Sequence, residues 1–133
     1  MVDGAVVRTV GELMSAPVVT ADPSDTVAEA SAAMTDAGVG SVVVVDSTRR
    51  VVGILTERDL VRFAGTGGDP TATKVSEQMT ADPATVGPEV AVVEAFAWLS
   101  EHGYRHYPVV DGGALVGIVS LRDLLKIAAI EPV

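Results

Sequence analysis

Two β-branched stretches, Val42 to Val45 and Val51 to Leu55, flank a polar turn at Asp46 to Arg50 and predict a hairpin of buried strands. Ahead of it, Val27, Ala30 and Met34 fall on one helical stripe. That helix is bounded by a capping box at Thr26 and Glu29 and by Gly38, a natural C-terminal cap. Thr9 with Glu12 predicts a shorter helix through Met14, then an extended run from Pro17 to Thr20 and a turn at Asp22-Pro23. A closing helix is expected over Asp59 to Ala64. The order then recurs: Val92, Ala95 and Leu99 on a helix, strands at Pro108 to Val110 and Leu115 to Val119, and a last helix over Arg122 to Ala129.

The recurrence is a duplication in register. At an offset of 65, Val10, Glu12, Met14, Ala16, Thr20, Pro23, Val27, Glu29, Ala30, Gly38 and Asp46 meet Val75, Glu77, Met79, Ala81, Thr85, Pro88, Val92, Glu94, Ala95, Gly103 and Asp111. One residue is lost in the hairpin turn, and at an offset of 64 Gly53, Ile54, Arg58 and Asp59 meet Gly117, Ile118, Arg122 and Asp123. A deletion in a polar turn is where a duplicated unit tolerates one. The expected division is repeat one over 8–65, a linker over 66–72 containing a flexible Gly-rich run, and repeat two over 73–130.

Composition narrows the chemistry. The 133 residues are 48% apolar but only 4% aromatic, enough for a core of small side chains. Cysteine is absent, which excludes disulfides, thiolate metal sites and thiol nucleophiles. Nine basic against eighteen acidic residues give a net charge of −9, the wrong sign for holding a nucleic-acid backbone. No apolar run approaches the ~20 residues of a membrane span, and Met1 to Val10 lacks a signal-peptide core, so a soluble, cytoplasmic protein is expected. Neither histidine has partners at metal-ligand spacing, and nothing orders a nucleophile, base and acid.

The candidate chemistry sits where the second hairpin strand becomes a helix. Gly53-Ile54-Leu55-Thr56-Glu57-Arg58-Asp59 recurs as Gly117-Ile118-Val119-Ser120-Leu121-Arg122-Asp123. Unpaired N–H groups and the helix dipole favour an anion there, and a carboxylate accepts well from a sugar diol, so the set suits a phosphorylated ribose. Simple helix capping by Thr56 and Ser120, with Asp59 and Asp123 as first-turn acids, accounts for the hydroxyls and carboxylates. It does not account for Arg58 and Arg122.

These motifs resemble a tandem pair of CBS domains, the cystathionine beta-synthase type of regulatory repeat or Bateman module, over roughly Val10 to Ala129. Also similar are the strand endings Val43-Val44-Val45-Asp46 and Pro108-Val109-Val110-Asp111, and the openings Met14-Ser15 and Met79-Thr80. The resemblance implies an α/β fold of two β-α-β-β-α repeats packed about a pseudo-twofold axis. It also implies adenosine ligands such as AMP, ADP, ATP or S-adenosylmethionine in the clefts between the repeats. By that likeness Asp59 or Asp123 holds the ribose hydroxyls, Thr56 or Ser120 faces the ribose or phosphate, and Ile54 and Ile118 flank the adenine. Thr20 or Thr85, and Val39-Gly40-Ser41 or Tyr104-Arg105-His106, would complete each pocket. Repeat two thus offers Arg105 and His106 to a phosphate where repeat one has Gly40 and Ser41.

Trp98 falls beside Glu94, outside the helical sector of Val92, Ala95, Phe96 and Leu99. It is therefore expected to be partly exposed and to mark an interface, with a homodimer as the default partner. The resulting expectation is a stand-alone regulatory sensor of adenine nucleotides, not an enzyme, without cofactor or metal, acting through dimer rearrangement or on a partner protein. The competing expectation is a ligand-free dimerisation scaffold whose clefts are vestigial.

Overall fold

A computed structural model describes residues 8–130, with side chains through Ile127. Most of the amino-terminal stretch read for a signal peptide, and the side chains that end the last helix, lie outside the described residues.

In chain order the elements are α1 (Val10–Leu13), β1 (Thr20–Ala21), α2 (Val27–Ala37), β2 (Ser41–Val45), β3 (Val51–Thr56), α3 (Glu57–Ala64), α4 (Val75–Gln78), β4 (Thr80–Ala81), α5 (Val92–His102), β5 (His106–Asp111), β6 (Ala114–Ser120) and α6 (Leu121–Ile130). Thr9 and Thr26 cap α1 and α2 through reciprocal bonds with Glu12 and Glu29, as their spacing predicts. Gly38 and Gly103 end α2 and α5 in the left-handed conformation, which glycine adopts without a Cβ penalty.

Contacts divide the chain into two compact units that cut across the sequence repeats. One is Val18–Pro83; among the described residues the other joins 8–17 to 84–130. Within the first unit the sheet runs β1-β2-β3-β4, with β1 parallel to β2 and the remaining pairs antiparallel. Its edge strand β4 comes from the segment that leads repeat two. The second unit pairs β5 with β6 and adds single bridges from Val86 to Val109 and from Ser15 to Ile118. Ser15, from the segment that leads repeat one, takes there the position that Thr80 takes beside Ile54.

Each repeat therefore lends its leading segment to the other repeat's sheet. Matched hydrogen bonds hold both exchanges. Val75 N–H donates to the Asp25 carbonyl at 2.8 Å, and Val10 N–H donates to the Val90 carbonyl at 2.8 Å. The Gly-rich linker is tied down by the same economy of donors. The first two N–H groups of α2, on Val27 and Ala28, donate to the carbonyls of Thr73 and Pro70, so the helix start finds its partners in the linker and in the first residue of repeat two.

Separate cores fill the units. Ala21, Ala30, Met34, Val42, Val44, Leu55 and Val75 form one, and Val10, Val92, Ala95, Leu99, Tyr107, Val109, Val119 and Leu124 are the main members of the other. Val75 and Val10, the matched first residues of the exchanged helices, are wholly buried in the unit that receives them. No helix among the described residues is long and apolar enough to cross a membrane.

Candidate functional site

In the first unit, pairing sets Thr20 of β1 against Val43, Val43 against Ile54, and Ile54 against Thr80 of β4. Side chains alternate along a strand and cross-strand partners share a face, so these four residues form one row across the sheet. The next row on that face pairs Ser41 with Thr56, where β3 turns into α3. Thr20, Ser41, Ile54 and Thr56 thus converge on one end of one sheet face.

In the second unit, Pro108 lies across from Ile118 and His106 across from Ser120. Ile118 also pairs with Ser15, while Thr85 stands one residue before the Val86–Val109 bridge, in the register of Pro108. Each isoleucine is flanked by a hydroxyl residue borrowed from the other repeat, Thr80 or Ser15. In the sequence both stand out only as parts of the repeat openings Met14-Ser15 and Met79-Thr80, not as pocket residues. Their signal was the 65-residue offset that matches two hydroxyls directly after Met14 and Met79.

The junctions themselves differ. Thr56 caps α3 in a full capping box: its Oγ1 accepts from Asp59 N–H at 3.3 Å, while Asp59 Oδ2 accepts from Thr56 N–H at 2.9 Å and from its hydroxyl at 3.1 Å. Arg62 Nη1 reaches the other oxygen of Asp59 at 3.5 Å. The Asp59 residue is only 8% exposed. At the second junction Ser120 Oγ accepts from Asp123 N–H at 3.1 Å, and the carboxylate of Asp123 makes no hydrogen bond among the described residues. The capping box occupies Oδ2 of Asp59 and Arg62 lies beside Oδ1, whereas neither oxygen of Asp123 is engaged among the described residues.

The charges around each junction diverge further. Glu57 N–H donates to the Gly40 carbonyl at 3.0 Å, and its carboxylate lies so close that a Cβ on residue 40 would stand 2.7 Å from Oε1. At the matched place Leu121 N–H donates to the carbonyl of Arg105, an exposed residue, at 2.8 Å. Glu57, also outside the sequence reading, thus puts a negative group where repeat two has an apolar one. Arg58 and Arg122 are both exposed on the first turns of α3 and α6, and His106 is half-buried at the start of β5.

Trp98 is half-buried and packs over the core of its unit within a pile of rings. Its centroid lies 4.1 Å from His102, 5.1 Å from Tyr107 and 5.4 Å from Tyr104, all near parallel. Burial pushes the Tyr107 phenol above its ordinary pKa of 10.0.

The CBS domain model matches residues 10–65 and 73–130. The CBS domain-containing protein YhcV of Bacillus subtilis is 34% identical over 116 residues, which span 87% of this chain and 82% of YhcV. The crystal structure of the CBS-domain containing protein ATU1752 from Agrobacterium tumefaciens superposes with a TM-score of 0.85 at 30% identity, covering 96% of this chain and 98% of that one. CBSX2 in complex with AMP superposes with a TM-score of 0.81 at 24% identity, over 95% and 100% of the two chains, a likeness of fold.

Proposed function

Because the chain belongs to the CBS-domain family and carries two copies of the repeat, we propose that it is a regulatory module, not a catalyst, that binds an adenine nucleotide at its strand-to-helix junctions. One observation carries this reading: the same constellation is built twice. In each unit a hydroxyl caps a helix whose third residue is an aspartate, beside an isoleucine flanked by one hydroxyl residue of the other repeat. Isoleucine offers an apolar face to a purine, the aspartate accepts from a ribose diol, and the helix start with Arg58 or Arg122 favours a phosphate. CBSX2, of the same fold, holds AMP, which is consistent with an adenosine ligand for this chain. The module would pair with a second copy through its helices and transmit occupancy by rearranging that dimer or by acting on a partner protein.

Ligand identification and calorimetry test this. Small molecules released from the purified protein should include an adenosine compound, and AMP should bind. The Asp59→Ala, Asp123→Ala double variant should lose binding, since hydrogen bonds to charged groups contribute ~1.5 to 3 kcal/mol each. Unaltered titrations in the double variant would remove the assignment.

A second reading, a ligand-free scaffold, is favoured by the engagement of both Asp59 oxygens within the chain. It expects no co-purifying nucleotide and no heat of binding from AMP, ADP, ATP or S-adenosylmethionine.

A further inference from the structure

A methionine stands at the centre of each exchanged segment. Val75 is buried at the start of α4, Met79 follows one turn on, and Thr80 and Ala81 then pair with Ile54 and Gly53 of β3. The other unit repeats the order with Val10, Met14 and the bridge from Ser15 to Ile118. Both sulfurs occupy the space that a Cβ on the facing glycine would take, Met79 at Gly53 and Met14 at Gly117. Each thioether therefore lies beside the backbone of the strand that carries the isoleucine of the candidate site.

Sulfur chemistry in this chain belongs to methionine alone, because there is no cysteine to intercept an oxidant. Among the described methionines, Met34 is 4% exposed within its core, whereas Met14 and Met79 are half-buried at the edges of theirs. A small oxidant thus meets Met14 and Met79 in the folded protein before it meets Met34. Oxidation turns a flexible apolar side chain into a polar, chiral one. The added oxygen needs room that the glycine contact leaves out, and a polar group pressed into an apolar core without a partner is costly.

We propose that Met14 and Met79 are paired sites of reversible oxidation by hydrogen peroxide, whose sulfoxides loosen the exchanged segments from their sheets and withdraw Ser15 and Thr80 from Ile118 and Ile54. The sulfur donates an electron pair to one peroxide oxygen and the O–O bond breaks. The departing hydroxide takes the proton of the transferred hydroxyl and leaves as water, so sulfur loses two electrons and the peroxide gains them. Loosening of the segments is independent of any ligand; its effect on AMP rests on the nucleotide reading above.

Limited hydrogen peroxide followed by peptide mass spectrometry should add one oxygen to Met14 and to Met79 while Met34 stays unmodified. In that product the amides of Val10 and Val75, which donate to the Val90 and Asp25 carbonyls, should exchange hydrogen at least tenfold faster. Methionine sulfoxide reductases with dithiothreitol should restore slow exchange. Peroxide-treated Met14→Leu, Met79→Leu protein should keep it throughout. Unchanged exchange in wild-type protein oxidised at both sites overturns the proposal, and so does oxidation of Met34 at the same rate, which would mean that the chain unfolds before it reacts. AMP should bind the oxidised protein at least tenfold more weakly by calorimetry. Equal binding to both forms overturns the link to the site, whereas AMP that fails to bind even the reduced protein, with exchange still accelerated by oxidation, defeats the nucleotide reading alone.

Discussion

The side chain of Met79 lies against Gly53 so closely that a Cβ on Gly53 would overlap its sulfur, and Met14 lies against Gly117 in the same way. The glycine opens the Gly-Ile motif of one repeat and the methionine opens the other repeat. Two sequence features that read as separate signatures are therefore the two sides of one contact, through which each exchanged segment is held on its sheet.

Gly53→Ala should destabilise the protein by about 1 kcal/mol, because Met79 is flexible and can swing partly away. In a Met79→Ala background the same substitution should cost less, giving a coupling of at least ~0.5 kcal/mol in a double-mutant cycle measured by urea unfolding. Strictly additive effects would mean the contact does not hold the exchanged segment.

Asp59→Ala and Asp123→Ala should differ in stability without any ligand. The first removes the acceptor for Thr56 N–H, its hydroxyl and Arg62, a loss of roughly 1 kcal/mol for a capping interaction. The second removes a carboxylate with no hydrogen bond among the described residues, and its effect should stay within about 0.5 kcal/mol. Thermal unfolding of the two apo variants measures this, and equal losses would contradict the asymmetry of the junctions.

The duplication was legible as a constant offset, and the helix caps and the hairpins because each is written in local spacing: Thr26 and Glu29 three apart, Gly38 at the end of a stripe, two β-branched runs around a turn. The exchange of leading segments was not. Val10 and Val75 look like ordinary first residues of their own repeats, and only long-range hydrogen bonds to Val90 and Asp25 assign them elsewhere. Ser15 and Thr80 were visible as parts of the repeat openings but not as pocket residues for that reason, since the rows they join lie in the other repeat's sheet. Glu57 escaped because the motif drew attention to its neighbours Thr56, Arg58 and Asp59. The exposure expected for Trp98 is half met, because its ring rests on Tyr107, a cross-element contact that a helical wheel does not contain.

Stability should be level near neutral pH and fall in acid. Backbone and hydroxyl donors from Thr26 hold Glu29 below its ordinary 4.5, and those from Thr9 and Arg8 do the same for Glu12. Hydroxyl and backbone donors likewise hold Asp22, Asp46 and Asp69 below their ordinary 3.8. A carboxylate with a depressed folded pKa binds fewer protons folded than unfolded, so stability rises with pH through this window. Its contribution is complete above the ordinary value and is lost as pH falls through the lowered one. Urea midpoints followed downward from pH 6 should hold until about pH 5 and then decline, and Glu29→Gln should flatten the decline below 4.5. A midpoint that rises on acidification would reverse the sign argued here.

The two junctions should be unequal, with the one containing Asp123 the tighter for AMP. Adenosine should distinguish them less than AMP does, since both present an isoleucine, a capping hydroxyl and an aspartate, and only the apo bonds of Asp59 set them apart for it. Phosphate is where they part. Arg122 and Arg58 are matched and cancel, but Arg105 and His106 stand where repeat one has Gly40 and Ser41, and the Glu57 carboxylate lies against Gly40. A charge-assisted hydrogen bond contributes roughly 1.5 to 3 kcal/mol, so one well-aimed arginine corresponds to about a tenfold preference or more. The apo bonds of Asp59 act in the same direction, because a ribose at the first junction must displace Thr56 or Arg62 from the carboxylate, whereas the Asp123 carboxylate holds no hydrogen-bond partner among the described residues. Salt screens the distant field of the net −9 charge much more than a direct contact, so the difference should persist at high ionic strength. Titrating AMP into Asp59→Ala and Asp123→Ala separately decides the order. Asp123→Ala should abolish the tighter phase and Asp59→Ala should preserve it; the opposite pattern would place the stronger phosphate site in the first repeat.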